Sequence, residues 1–155
     1  MEHCLFESNK AEGSLFQCYG SGVCAEDEAI VNNYTFKDNY ATISSGAIYA
    51  HNYYINHNQN KVKYFNSFFI HNLSKYFSGG AISIIDQDKD DYSHEIIAVN
   101  IVFSENSANL GSAINYYCDT KYPSKAMHII HCLFNSNDAG DDYGGGSYSY
   151  LFIDC

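Results

Sequence analysis

The sequence predicts an all-β chain folded as a parallel β-helix, a solenoid of about five coils with 30–34 residues each. Three observations support this fold class. One motif recurs at near-constant spacing, which is typical of stacked units. Tyr, Phe, Ile and Thr, which favour strands, are separated by clusters of Gly, Asn, Ser and Asp, which favour turns. Runs of Ala, Leu, Glu and Lys at helical spacing do not occur in the sequence.

The recurring motif is Phe followed by two variable residues and Asn. Successive Phe residues of the motif are separated by 30, 33, 34 and 31 residues. The Phe residues are Phe6, Phe36, Phe69, Phe103 and Phe134, and the Asn residues are Asn9, Asn39, Asn72, Asn106 and Asn137. The segment His3–Asn9 returns as His131–Asn137 with six of seven positions identical. In four repeats Ala follows two residues after the Asn, whereas the third repeat has Ser74 there.

Each repeat is expected to contain at least two short strands. The first strand runs through an apolar stretch to the Phe, and alternation turns Val99, Ile101 and Phe103 toward the interior. The chain then turns at the Asn, which tolerates left-handed backbone, and enters a second strand at Gly-Ala-Ile, as in Gly46–Ile48. Stacked coils would align the five Asn as an amide ladder and the five Phe as an aromatic stack.

Other repeat architectures fit this period less well. Ankyrin and tetratricopeptide repeats have similar lengths, but they are built from amphipathic helices. A β-propeller blade needs about 40–50 residues and four strands, which is longer than the unit seen here.

Composition argues against several classes of partner. The formal net charge is −10 and all eight basic residues are Lys, so a nucleic-acid-binding surface is not expected. No apolar run approaches the roughly 18 residues of a membrane helix, and no signal-peptide pattern opens the chain. Six Cys without a CxxC pair give no zinc motif and allow 15 disulfide pairings.

Few residue patterns suggest catalysis or metal binding. Asp38 and Glu105 share a repeat position two coils apart, roughly 10 Å by strand spacing, which is near the separation of carboxylates in inverting glycosidases. The run Asp86–Asp91 lacks the Gly and Glu of a calcium loop, and a second acidic turn covers residues 138–142. We interpret these groups as solvated turns. The sequence therefore predicts no catalytic residue, no cofactor and no metal.

Tyrosine side chains concentrate in or near the segments between the repeat cores. They are Tyr53, Tyr54, Tyr116, Tyr117, Tyr143, Tyr148 and Tyr150. Exposed tyrosines suit recognition surfaces because they offer a large contact area at low entropic cost. The alternative interpretation is that these rings pack against their own loops.

The combination F-x-x-N-x-A followed by G-G-A-I resembles the repeats of chlamydial-type polymorphic outer membrane proteins. It is seen best in Phe36–Ile48, Phe69–Ile82 and Phe103–Ile114. The resemblance implies a pectin-lyase-like right-handed parallel β-helix, a secreted or cell-surface location, and a role in adhesion or host contact. It covers nearly the whole chain, so residues 1–155 are interpreted as one β-helix domain belonging to a longer array.

The leading functional hypothesis is a non-enzymatic, adhesin-like repeat protein that binds a protein or glycan ligand at a surface. A polysaccharide lyase or hydrolase and a structural spacer are the alternatives. Nucleic acid binding and membrane insertion by this segment are not expected. Open strand edges also predict end-to-end self-association.

Overall fold

The computed structural model describes residues 3–12, 22–26, 29–43, 45–52, 61–86, 95–118, 126–140 and 147–149. Within these ranges the chain forms strands and turns and contains no helix. Neighbouring strands pair in parallel, as Tyr34–Lys37 does with Phe68–Ile70. The prediction of an all-β chain with parallel strands is therefore confirmed for this part of the molecule.

The strands assemble into four sheets, here named A to D. Sheet A consists of Cys4–Glu7, Tyr34–Lys37, Phe68–Ile70, Val102–Ser104 and Leu133–Asn135. Sheet B consists of Lys10–Ala11, Tyr40–Ala41, Leu73–Ser74, Ser107–Ala108 and Asp138–Ala139. Sheet C consists of Val23–Glu26, Ile48–Asn52, Ile82–Asp86, Ile114–Cys118 and Ser147–Ser149. Sheet D consists of Ala29–Asn32, Lys61–Phe65, Glu95–Val99 and Ala126–Ile130.

The chain passes through sheets A, B, C and D in that order, and the next repeat starts again in sheet A. Strands pair in the register that sets equivalent residues side by side, as with Phe36, Phe69 and Phe103. Equivalent positions therefore form rows that cross the strands at about 4.8 Å per step. This arrangement is compatible with a parallel β-solenoid.

The prediction of one continuous strand from the apolar stretch to the Phe is wrong. This segment forms two strands, one in sheet D and the next in sheet A, as with Glu95–Val99 and Val102–Ser104. The break falls on a non-glycine residue with positive φ, which is 46° at Asn66, 55° at Asn100 and 51° at His131. Such backbone turns the chain and shifts the alternation by one residue. Consequently Ile101 and Phe103 are buried as predicted, but Val99 is partly exposed.

The turn after the Phe also differs from the prediction in one detail. The left-handed residue is the one before the motif Asn, with φ between 50° and 57° at Ser8, Asp38, His71, Glu105 and Ser136. The Asn itself lies inward at the corner between sheets A and B, and it is fully buried in the three central repeats. The corner therefore pairs an outward residue of variable type with an inward amide that every repeat carries.

The Gly-Ala-Ile segment leads into sheet C through a close backbone approach. Gly79 has φ of 69°, a left-handed conformation that favours Gly. A Cβ on Gly80 would lie 2.2 Å from the carbonyl oxygen of Ser112, so no side chain fits there unless the backbone moves. The segment needs glycine for two separate reasons, conformation at one position and space at the next.

Inward side chains from sheets A, C and D, together with residues that connect the sheets, form one hydrophobic core. Its largest fully buried members are Tyr64, Phe36, Phe69, Phe103, Ile48, Ile82, Ile84, Ile96, Ile101 and Ile114. Burying one such side chain contributes about 1.5–3 kcal/mol. Equivalent inward residues of neighbouring repeats lie side by side, so neighbouring repeats complete each other's core.

Candidate binding surface

The motif asparagines form a continuous hydrogen-bonded row. In each of Asn9, Asn39, Asn72 and Asn106, Nδ2 donates to Oδ1 of the Asn in the next repeat at 2.9 Å. The backbone N–H of the same residue donates to the same oxygen at 3.0–3.2 Å. In Asn39, Asn72, Asn106 and Asn137 the other Nδ2 hydrogen goes to the carbonyl of the motif Phe in the preceding repeat, as from Asn72 to Phe36 at 3.0 Å. The central amides thus use every donor and acceptor.

The motif phenylalanines lie beside the asparagines, and their rings stack nearly parallel to one another. Ring centroids of consecutive Phe residues are 4.8–5.3 Å apart, with interplanar angles of 4–16°. Stacked rings at this spacing contribute beyond the area that they bury. Because the Phe and Asn rows both fill the interior, a ligand can reach only the outward rows.

The first outward row lies on sheet A, at the position directly before each motif Phe. The pairing register aligns Leu5, Thr35, Phe68, Val102 and Leu133. Leu5 is 55% exposed, Phe68 43% and Leu133 57%. We call these five residues the sheet A outer row. No sequence prediction named this row, although four of its five residues are apolar and all five lie at a fixed offset from the motif Phe.

A second exposed apolar feature follows sheet B in the third repeat. Tyr76 is 60% exposed and Phe77 is 52% exposed. The segment is held by its backbone, because Lys75 N–H donates to the Ala41 carbonyl at 2.9 Å and the Phe77 carbonyl accepts from Asn109 N–H at 3.0 Å. Lys75 Nζ lies 4.7 Å from the centroid of the Tyr76 ring. Two solvent-facing aromatic rings therefore stand on anchored backbone.

The left-handed residues of the corner form a polar outward row. Its middle members are Asp38, His71 and Glu105, and His71 Nδ1 lies 2.7 Å from Asp38 Oδ1. The hydrogen bond to His71, reinforced by Lys37 Nζ at 3.3 Å, lowers the pKa of Asp38 below its usual value. A shallow groove of about 300 Å³ runs beside this row, and Tyr40 and Leu73 supply its apolar wall.

The two carboxylates that share a repeat position, Asp38 and Glu105, do not form an isolated pair in this setting. His71 occupies the row position between Asp38 and Glu105, and Asp38 already contacts two basic side chains. The groove nevertheless combines a carboxylate, an imidazole and a tyrosine ring. Such a set suits hydrogen bonding to a polar ligand more than it suits the two matched carboxylates of a glycosidase.

Other predicted features are only partly within the described residues. Of the acidic run Asp86–Asp91 only Asp86 is described, at the end of a sheet C strand, and positions 141–142 of the second acidic turn lie outside. In the described ranges no group of three His, Cys, Asp or Glu side chains is arranged to hold a metal ion. Nor does any helix in those ranges have the length and apolar character to cross a membrane.

The expected exposure of the tyrosines is corrected at one position. Tyr116 is buried in the core, because it lies two residues after the inward Ile114 in the same strand, whereas Tyr117 faces outward. Tyr53, Tyr54, Tyr143 and Tyr150 lie outside the described residues, and Tyr148 is described only as part of the strand Ser147–Ser149.

Burial raises the pKa of the Cys132 thiol, which reduces its reactivity.

No protein-family model, no curated protein and no solved structure matches this chain.

Proposed function

We propose that the chain forms about five coils of a right-handed parallel β-helix of the pectin-lyase-like type, as the resemblance to polymorphic outer membrane protein repeats implies. The passage of each repeat through four parallel sheets in one order supports this proposal. The in-register Asn and Phe rows support it as well, because they require equivalent residues to lie at strand spacing.

On this scaffold, the protein acts as a non-enzymatic adhesion or contact module at a cell surface or in secreted form. The sheet A outer row is the observation that carries this proposal. An apolar row along a strand-rich face is costly to leave in water and is typical of an interaction site. A structural spacer would need no such row.

The ligand is a protein or a glycan on a host or neighbouring cell. The net charge of −10 favours a neutral or basic partner over a polyanion. Leu5, Phe68 and Leu133 would contact its apolar parts, and Tyr76 and Phe77 offer further aromatic area.

The direct test measures binding of the fluorescently labelled 155-residue chain to cultured epithelial cells and to a glycan array. A triple variant, Leu5→Thr, Phe68→Thr and Leu133→Thr, extends the Thr already present at position 35 along the outer row. We expect its binding to fall about tenfold or more, because central apolar contacts dominate such interfaces.

The matched control is Ile30→Thr, since Ile30 is 62% exposed but lies on sheet D. This variant should bind as the parent chain does. Equal binding of the triple variant and the parent chain, with unchanged circular dichroism, would contradict an adhesive role for the outer row.

The groove beside Asp38, His71 and Glu105 favours one alternative, a polysaccharide-active β-helix. An enzyme of this kind would release new reducing ends from acidic or neutral polysaccharides, and Asp38→Asn or Glu105→Gln would abolish the release. Product formation that survives both substitutions would exclude these carboxylates from the chemistry.

A further inference from the structure

Sheets A, B and C each have a strand of the first repeat at one edge and a strand of the fifth repeat at the other. In sheet A these edge strands are Cys4–Glu7 and Leu133–Asn135, which belong to the segments that match at six of seven positions. An edge strand presents unpaired backbone groups that can template another strand. The two edge strands of sheet A have nearly the same sequence.

The asparagine row has a direction that makes the two edges complementary. Each of Asn9, Asn39, Asn72 and Asn106 donates to the Asn of the next repeat, and no bond between these amides runs the other way. Among the described residues, the row therefore begins at Asn9 with an Oδ1 that accepts nothing. It ends at Asn137, whose backbone N–H and second Nδ2 hydrogen are donated to none of the described residues.

The backbone hydrogen bonds of the corner follow the same rule. Ser8, Asp38, His71 and Glu105 each donate an N–H to a sheet A carbonyl of the next repeat, the last of them to Asn135 at 2.9 Å. Ser136 N–H is the next donor in this series, and the Glu7 carbonyl is the equivalent acceptor. In sheet B, Tyr40 N–H donates to the Asn9 carbonyl at 2.9 Å, so Lys10 N–H is matched to the Asn137 carbonyl.

Charge adds a further match between the two edges. The sheet B register places Lys10, Tyr40, Leu73, Ser107 and Asp138 in one outward row. Lys10 therefore stands at one end of this row and Asp138 at the other, and both are exposed. Opposite charges at directly opposed positions of neighbouring strands stabilise the pairing.

We propose that copies of this chain stack head to tail, with Leu133–Asn135 of one copy paired in parallel to Cys4–Glu7 of the next. Asn137 then donates to Asn9 of the second copy, Phe134 stacks on Phe6, and Asp138 lies beside Lys10. The proposal rests on the solenoid proposed above. Because the interface joins different surfaces of each copy and repeats by translation, the product is an open series and not a closed dimer.

Sedimentation velocity of the full 155-residue chain from micromolar to millimolar concentration tests the stacking. We expect a concentration-dependent series of species at successive multiples of 17.4 kDa. Lys10→Glu should weaken association about threefold to tenfold, because it places two acids side by side at the interface. Asp138→Lys should weaken it similarly by opposing two lysines.

An equimolar mixture of the two variants should associate as strongly as the parent chain. In the mixture, the glutamate introduced in one variant meets the lysine introduced in the other at one junction, and the native Lys10 meets the native Asp138 at the next. Lys75→Glu changes the net charge as Lys10→Glu does, but Lys75 lies outside the edge strands, so this control should associate normally.

A chain that stays monomeric at all concentrations would overturn the proposal, as would a mixture that fails to recover. Far-UV circular dichroism on the same samples separates the two possible failures. A β spectrum from a monomer would remove only the stacking, whereas a helical spectrum would remove the solenoid itself.

Discussion

Two inward rows at the corner of sheets A and B differ in how they treat a buried polar group. The first is the asparagine row, in which each central amide is buried and fully hydrogen-bonded. The second lies two residues later and consists of Ala11, Ala41, Ser74, Ala108 and Ala139. Ser74 is buried there, and its Oγ has no hydrogen-bond partner in the described part of the chain. In these two rows, the amide that every repeat supplies is hydrogen-bonded, and the hydroxyl that only the third repeat supplies has no partner among the described residues.

The largest effect on stability is expected from Asn72→Ala, which removes one amide from the middle of the asparagine row. The substitution leaves Asn39 without the acceptor for its backbone N–H and one Nδ2 hydrogen, and it leaves the Phe36 carbonyl without a donor. Each stranded buried group costs about 1–3 kcal/mol, so we expect the free energy of unfolding to fall by about 3–5 kcal/mol. Urea denaturation followed by circular dichroism measures the change.

Asn9→Ala is the matched control for this experiment, because Asn9 is exposed at the edge of the same row. We expect it to cost less than about 1 kcal/mol, since solvent can satisfy the groups that it releases. Equal costs at positions 9 and 72 would contradict the view that burial makes the row important.

Ser74→Ala should have the opposite effect on stability. Restoring the Ala that the other four repeats carry removes a buried hydroxyl without a partner and leaves only a small change in volume. The free energy of unfolding should rise by about 1–2 kcal/mol. Ser104→Ala, at a partly exposed position of sheet A, should be close to neutral. A loss of stability in Ser74→Ala would mean that the hydroxyl has an interaction in solution.

Tyr64 offers a second buried hydroxyl without a partner in the described residues, here deep in sheet D. Tyr64→Phe should raise the free energy of unfolding by about 1 kcal/mol at neutral pH. Burial also raises the pKa of Tyr64 above its usual value near 10. The folded state therefore keeps the neutral phenol, and the stability that this provides is complete below the unfolded pKa and is lost as pH rises from there toward the folded pKa.

The advantage of Tyr64→Phe should consequently widen above about pH 10, because only the parent chain must keep this phenol neutral. Tyr34→Phe, at a partly exposed tyrosine, is the control for the loss of a phenol hydroxyl at alkaline pH. If both variants respond to pH alike, Tyr64 ionises without unfolding.

The smallest effect on stability is expected from the outward residues at the corner of sheets A and B. Asp38 has a lowered pKa, chiefly through its hydrogen bond to His71. Its contribution to stability is present above the ordinary carboxyl pKa and is lost as pH falls through the lowered one. In His71→Gln the pKa of Asp38 should rise toward its usual value of 3.8, as measured by carbon NMR of the carboxyl group. His128→Gln, on sheet D, should leave it unchanged, and an identical titration in both variants would exclude His71 as the cause.

The rows were predictable from spacing, because parallel strands in constant register force equivalent residues together. The break between sheets D and A was not, since Asn100 looks like an ordinary polar residue until its φ of 55° is known. The left-handed backbone at Asn100 reverses which neighbouring side chains face inward. Alternation along one continuous strand therefore predicts the wrong side for Val99. The sheet A outer row was overlooked for a different reason. Its residues vary in type, and only the register shows that Leu5, Phe68 and Leu133 form one surface.

Because all hydrogen bonds between the motif asparagines run in one direction, the amide dipoles of the row are aligned. Each amide that accepts a hydrogen bond becomes a better donor to the next, so the bonds strengthen one another along the row. The donor end at Asn137 is the positive pole, and the oxygen of Asn9 is the negative pole. A repeat inserted in the middle breaks one interface and forms two, which is a net gain of one interface and one more amide in the row. Lengthening the array by duplicating its third repeat should therefore stabilise the molecule.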